Sequence, residues 1–163
     1  AVWLADGAQH SVHALKYGGL PRIADDLALV MAPSRPSPEE RTALVPIPLA
    51  PKRLRARGYN QSEVLARALA RKWRIPVLPD LLVRTRETPT QTALTPGTRL
   101  ANVAGAFNVR RVACITPHVT FVLVDDVFTT GATVAEAARA LEQAGATTIH
   151  AVTFARAVIP DFT

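Results

Sequence analysis

The segment TFVLVDDVFTTGAT, residues 120–133, constrains this chain more than any other. Thr120 to Val124 is β-branched or apolar throughout, without the polar alternation of a sheet that has one wet face. Such a run is buried on both sides, as in a parallel sheet covered by helices. It stops at two adjacent acids, Asp125 and Asp126, where the strand is expected to end. Phe128 to Thr133 then reads as the loop into a helix whose inner face is Val134, Ala137, Ala138 and Leu141, ended by Gly145.

The remaining punctuation repeats this alternation. Ala1 to Ala5 reads as a short edge strand and Gln9 to Lys16 as a helix. A second helix places Ile23, Leu27, Val30 and Met31 on one face. Ala43 to Ile47 reads as a central strand, with Pro46 and Pro48 marking where its pairing ends. A basic loop, Lys52 to Arg57, precedes a helix started by Asn60 and Glu63 at capping-box spacing, with Val64, Leu65, Ala68, Leu69 and Trp73 turned inward. Short strands follow near Leu81 to Val83 and Ala106 to Val109, and Thr148 to Phe154 is a final β-branched strand. The expected fold is α/β, a mostly parallel central sheet flanked by helices, with residues 1–163 as one domain and 1–40 as a small cover or hood.

Composition narrows the function classes. No apolar stretch is long enough to span a membrane, and no charged segment leads into a secretory apolar core. The single cysteine, Cys114, allows neither an internal disulfide nor a cysteine-based zinc site, which fits a cytoplasmic setting. His10, His13, His118 and His150 are scattered, and only nine aromatics are present, so neither a metal cluster nor an aromatic nucleic-acid platform is evident. The formal charge of +6 is carried almost wholly by arginine, with Lys16, Lys52 and Lys72 the only lysines. Arginine forks match phosphate geometry, so the excess points to a phosphorylated metabolite or a nucleic acid; GC-rich coding is the bland alternative.

In an open parallel sheet, ligands bind beyond the carboxyl ends of the strands. Gly131 lets backbone approach a ligand, Thr129, Thr130 and Thr133 offer hydroxyls, and a helix start presents unpaired N–H groups. That combination is a phosphate cradle. Two carboxylates beside it would repel the phosphate, but they can accept hydrogen bonds from sugar hydroxyls one ribose-length away or hold a bridging metal. The stretch reads as a site for a ribose 5-phosphate.

VLVDDVFTTGAT resembles the signature of the type I phosphoribosyltransferases, which bind phosphoribosyl pyrophosphate (PRPP). The resemblance implies that Asp125 and Asp126 contact the ribose hydroxyls, and that Thr129, Thr130, Gly131, Ala132 and Thr133 hold the 5-phosphate, with Mg²⁺ carried in on PRPP. A narrower likeness covers nearly the whole chain. LKYGG at 15–19, VPIPLAPKRLRARGYNQ at 45–61, QTALTPGTRLANVAGAF at 91–107 and the signature itself occur in the order seen in the ComF (ComFC, GntX-like) family, associated with natural transformation and DNA uptake. Members of that family often carry an amino-terminal four-cysteine zinc module, none of whose cysteines is present here.

By position, the resemblance makes Pro48, Leu49, Lys52 and Arg53 a pyrophosphate loop, and Arg86, Gln91 and Arg99 the reach-in residues of a mobile loop closing over the reaction centre. Lys52, Arg53, Arg55 and Arg57 fit a pyrophosphate, a nucleic-acid backbone or a solvated basic turn, and these stay open. No catalytic general base is identifiable. Two function classes remain: Mg²⁺-dependent phosphoribosyl transfer to an unnamed acceptor, or a non-catalytic module that senses PRPP or binds single-stranded DNA beside a competence helicase. A homodimer is a further expectation, since dimers are common among such folds.

Overall fold

A computed structural model describes residues 2–18, 22–37, 41–86 and 103–157. Four parallel strands form the main sheet in the order β1 (Val2–Trp3), β6 (Thr148–Arg156), β5 (Thr120–Phe128), β2 (Thr42–Pro46). A single parallel bridge, Leu44 to Val77, adds a contact beyond β2. The reason it stays single is local. N–H groups alternate sides along a strand: that of Leu44 goes to Pro76 O, that of Ile47 to Val124 O. Pro46 falls on the Val77 side and has no N–H to give.

Helices α1 (Asp6–Tyr17), α2 (Ile23–Met31) and α4 (Gln61–Trp73) cover one face of the sheet, packing Leu15, Met31, Leu65, Leu69 and Trp73 on Leu44, Val122, Val124 and Phe154. The other face buries Val45, Phe121 and Leu123 under α5 (Ala132–Gln143) and an antiparallel hairpin of β3 (Leu82–Arg84) and β4 (Phe107–Val109). The apolar run of β5 is thus covered on both faces, as its composition requires.

Four expectations need correction. β5 does not stop at Val124: β6 is long enough to pair with it to Phe128, so the acids lie within the strand. The stretch Lys52 to Arg57 is no loop but helix α3 (Pro51–Arg57), with Pro51 in its first turn and Gly58 in the left-handed conformation at its end. Asn60 caps α4 by accepting from Ser62 N, yet Glu63 pairs with Arg67 one turn on rather than reaching back. Val30 is 51% exposed, and Ala24 and Ala28 take the inner face beside Leu27 and Met31.

Candidate functional site

Side chains alternate across a strand, so adjacent acids face opposite sides of the sheet. Asp126 continues the Val122–Val124 side, toward α1 and α4; Asp125 continues the Phe121–Leu123 side. β2 makes its last contact with β5 at Val124, so both carboxylates lie beyond it, in a cavity of about 360 Å³ at the carboxyl end of the sheet.

Each acid is held from a distance in sequence. Ser62 Oγ donates to Asp125 Oδ1 at 2.8 Å, and Asp126 N donates to the same oxygen at 2.9 Å. Gln61 Nε2 donates to Asp126 Oδ1 at 3.3 Å, while Lys16 Nζ forms an ion pair with Oδ2 at 2.5 Å. Burial, and next the neighbouring charge of Asp126, push the Asp125 carboxyl up from 3.8 to about 7, against the Ser62 hydrogen bond. Asp126 is thus paired with Lys16, while the Asp125 carboxyl is held well above its ordinary range.

The motif RGYNQ builds this support. Arg57 stacks over the Tyr17 ring at 5.1 Å and donates to Gln61 Oε1, which turns the amide nitrogen of Gln61 toward Asp126. Gly58, at φ 82°, ends α3. Tyr59 donates to Leu15 O, the residue before Lys16, and Asn60 Nδ2 donates to Ile47 O at 3.0 Å. The motif therefore ties α1, the exit of β2 and the start of α4 together around the acids.

On the other wall, Gly131 is the N-cap of α5 at φ 78°, and a Cβ there would stand 2.7 Å from Cζ of Phe128. Only glycine satisfies both the backbone angle and that approach. Thr129, Gly131 and Thr133 line the cavity with Asp125 and Asp126, across from Pro48, Leu49 and Arg53. A strand, a glycine turn and a helix start therefore meet two acids and a basic helix in one concavity.

Residues 60–158 match the family model described as "phosphoribosyl transferase domain". The chain belongs to this phosphoribosyl transferase family. It is 36% identical over 115 residues to "Competence protein F" of Haemophilus influenzae, covering 71% of this chain and 50% of that protein. It is 33% identical over 145 residues to "DNA utilization protein YhgH" of Escherichia coli O157:H7, covering 85% and 63%. The chain thus spans about half to just under two thirds of the length of these relatives. A solved structure of the "allosteric regulatory enzyme of purine biosynthesis" matches 80% of this chain and 25% of its own, at 19% identity and a TM-score of 0.48, too loosely to argue from.

The expected residues divide. Asp125, Asp126, Thr129, Gly131, Thr133, Pro48, Leu49 and Arg53 come together. Thr130 stands off the cavity wall, its Oγ1 3.5 Å from Ala132 N; Ala132 is buried, and Lys52 is exposed away from the lining. Arg86 is exposed and lies near enough to Glu136 to help hold that carboxyl below its ordinary range, behind the larger effect of Arg139. Gln91 and Arg99 lie outside the described residues. Sequence reasoning missed Lys16, Gln61, Ser62 and Arg84, all of which line the cavity. Lys16 and Gln61 sit inside motifs that carried the family resemblance, a signal of importance without a role.

Among the described residues no group of three or more His, Cys, Asp and Glu could hold a metal, and no helix is long and apolar enough to cross a membrane.

Proposed function

We propose that this cavity binds PRPP, with the ribose hydroxyls on Asp125 and Asp126 and the 5-phosphate at the Thr129–Thr133 turn. The observation that carries this reading is the meeting of the paired acids with the Gly131 turn and the start of α5 in one cavity. Ribose hydroxyls need acceptors and a phosphate needs N–H groups, and the cavity separates the two. Arg53 and Arg84 line it as well, and they supply guanidinium groups for the pyrophosphate.

Mg²⁺ fits this reading as a passenger. Lys16 offsets the charge of Asp126, and the two carboxylates keep lone pairs for ribose hydroxyls, so in this reading Mg²⁺ arrives on the pyrophosphate. A Mg²⁺ bound to the pyrophosphate would neutralise charge on the leaving group, while Arg53, Arg84 and the α5 turn position the donor. Transfer would displace pyrophosphate at the anomeric carbon by an acceptor nucleophile, with the chain acting by orientation and charge stabilisation.

The biological setting proposed is DNA uptake, supported by the names of the two relatives. A second reading, a PRPP-sensing or single-stranded-DNA-binding module beside a competence helicase, is favoured by one observation: Lys52 and Arg55 are exposed on α3 and do not line the cavity. Phosphate-backbone binding there would weaken steeply with salt.

The deciding experiment is calorimetric titration with Mg²⁺ and PRPP of the wild type and of Asp125→Asn with Asp126→Asn. Saturable binding lost in the folded double variant supports the site. No binding by a folded wild type would sink it and move attention to DNA binding through α3.

A further inference from the structure

We propose that Lys16 is a further ligand-binding residue, one that reads a single ribose hydroxyl together with Asp126. The ammonium donates to the hydroxyl oxygen, and the hydroxyl proton goes to the carboxylate. This inference rests on the PRPP reading and deepens it, because it names how one side of the sugar is selected.

The two acids are not equivalent. Asp125 takes a neutral donor, the hydroxyl of the buried Ser62. Asp126 takes a cation, with Lys16 Nζ 2.5 Å from Oδ2. The ammonium is the outer member of that pair: 25% of the Lys16 side chain is exposed against 5% of that of Asp126, and Oδ2 itself is enclosed. Both residues line the cavity. A ligand arriving on this side therefore meets an N–H donor next to the Oδ1 edge, where Gln61 donates at 3.3 Å and a lone pair remains. A hydroxyl uses both groups, since it accepts one hydrogen bond and donates another.

The distinctive motifs of the chain converge on this pair. Leu15 O accepts from Tyr59, and the Tyr17 ring lies under Arg57, so both chain neighbours of Lys16 are held by RGYNQ. The last residue of that motif, Gln61, holds the other oxygen of Asp126. Charge balance alone does not account for a lysine here. A cation serving only the carboxyl end of α1 would turn to solvent. A buried ion pair adds little stability over apolar side chains of similar size. The positive charge of the chain is almost wholly arginine, and the other cations of this cavity, Arg53 and Arg84, follow that habit. An arginine fork would take both carboxylate oxygens at once and leave neither to a sugar. A lysine is a point donor with three N–H groups, so one serves Asp126 and another serves the ligand.

The test is calorimetric titration of the full chain and of Lys16→Met with PRPP and Mg²⁺, ribose 5-phosphate, 2-deoxyribose 5-phosphate and 3-deoxyribose 5-phosphate. In the wild type, one of the two deoxy sugars should bind roughly tenfold or more weaker than ribose 5-phosphate. In Lys16→Met that ratio should shrink severalfold, whereas the loss of a charge alone weakens all probes alike. Equal binding of all three sugars by the wild type, or a ratio that the variant leaves unchanged, would overturn the inference. Lys16→Met also leaves Asp126 unpaired, so a second measurement uses the wild type. Lys16, Lys52 and Lys72 are the only lysines, and the ε-CH₂ NMR signal of Lys16 is assigned by its loss in Lys16→Arg. Ribose 5-phosphate should shift that signal, and the disfavoured deoxy sugar should shift it less. A Lys16 signal unmoved at saturation would overturn the inference whatever the variant does. Failure of the PRPP reading looks different: the folded wild type then binds neither PRPP nor ribose 5-phosphate, and the role of Lys16 falls with it.

Discussion

Replacing Gly131 with alanine tests the geometry of the cavity wall directly. An L-residue at φ 78° costs about 1–2 kcal/mol in backbone strain. The new Cβ would stand 2.7 Å and 3.0 Å from two ring carbons of Phe128, against a comfortable separation of about 3.5–4.0 Å. Overpacking of that kind costs roughly 1–3 kcal/mol, and the lower end applies here because Phe128 is half-buried and can swing into the cavity. The expected total is about 2–4 kcal/mol, a fall in melting temperature of roughly 5–15 °C for a chain of this size. Thermal unfolding followed by circular dichroism measures it. Gly7→Ala is the control: nothing lies within 4 Å of its Cβ and it sits in helix α1, so alanine there should be neutral or stabilising. Adding Phe128→Ala to Gly131→Ala should recover the steric part but not the backbone strain, a favourable coupling of about 1–2 kcal/mol. Independent effects at positions 128 and 131 would refute the steric argument, and a loss no larger than the control's would refute both.

Asp125 predicts a pH dependence. Its carboxyl holds a proton more tightly folded than unfolded, so its ionisation removes stability as pH rises from about 4 through about 7, by at most roughly 4 kcal/mol. Urea midpoints across that range should fall in the wild type and lose the slope in Asp125→Asn; a flat wild-type profile would show that the carboxyl is not raised. Lys16→Met strips Asp126 of its ion partner and should destabilise, and adding Asp126→Asn should restore part of the loss, as read from chemical denaturation. Glu136→Ala removes the acceptor of the Gly105 N–H and the partner of Arg139; the melting temperature should fall by an amount equivalent to about 1–3 kcal/mol.

The chemistry of residues 120–133 was legible because it is local. A doubly buried strand, two acids, a glycine turn and a helix start follow each other without interruption, and local rules apply to each. The partners of the acids were not legible for the opposite reason. Ser62 lies 63 residues before Asp125 and Gln61 lies 65 before Asp126, so no spacing rule connects them. The RGYNQ motif could be seen as distinctive, but its work is tertiary: Tyr59 reaches Leu15, 44 residues away, and Asn60 reaches Ile47. Where local reasoning misjudged an element, a neighbour had overridden propensity. Aspartate is a poor strand residue, yet β6 supplies a complete pairing edge through Phe128 and carries β5 past both acids.

That extension matters more than a boundary correction. Had β5 stopped at Val124, the acids would sit on a free loop, with their direction set by solvent and turn chemistry. Within the strand, their directions are fixed by the pleat, one to each face of the sheet. What opens them to a ligand is the unequal length of their neighbours. β6 runs beside them, while β2 gives its last N–H to Val124 O through Ile47 and then turns away. Pro48 and Leu49 wall the gap so made, and Asn60 pins Ile47 O, so the chain leaves β2 at a fixed point. The cavity is therefore a missing length of strand beside two oriented carboxylates. Lengthening β2 by pairing would fill it, and the short, proline-marked exit of that strand is as much a part of the site as the acids themselves.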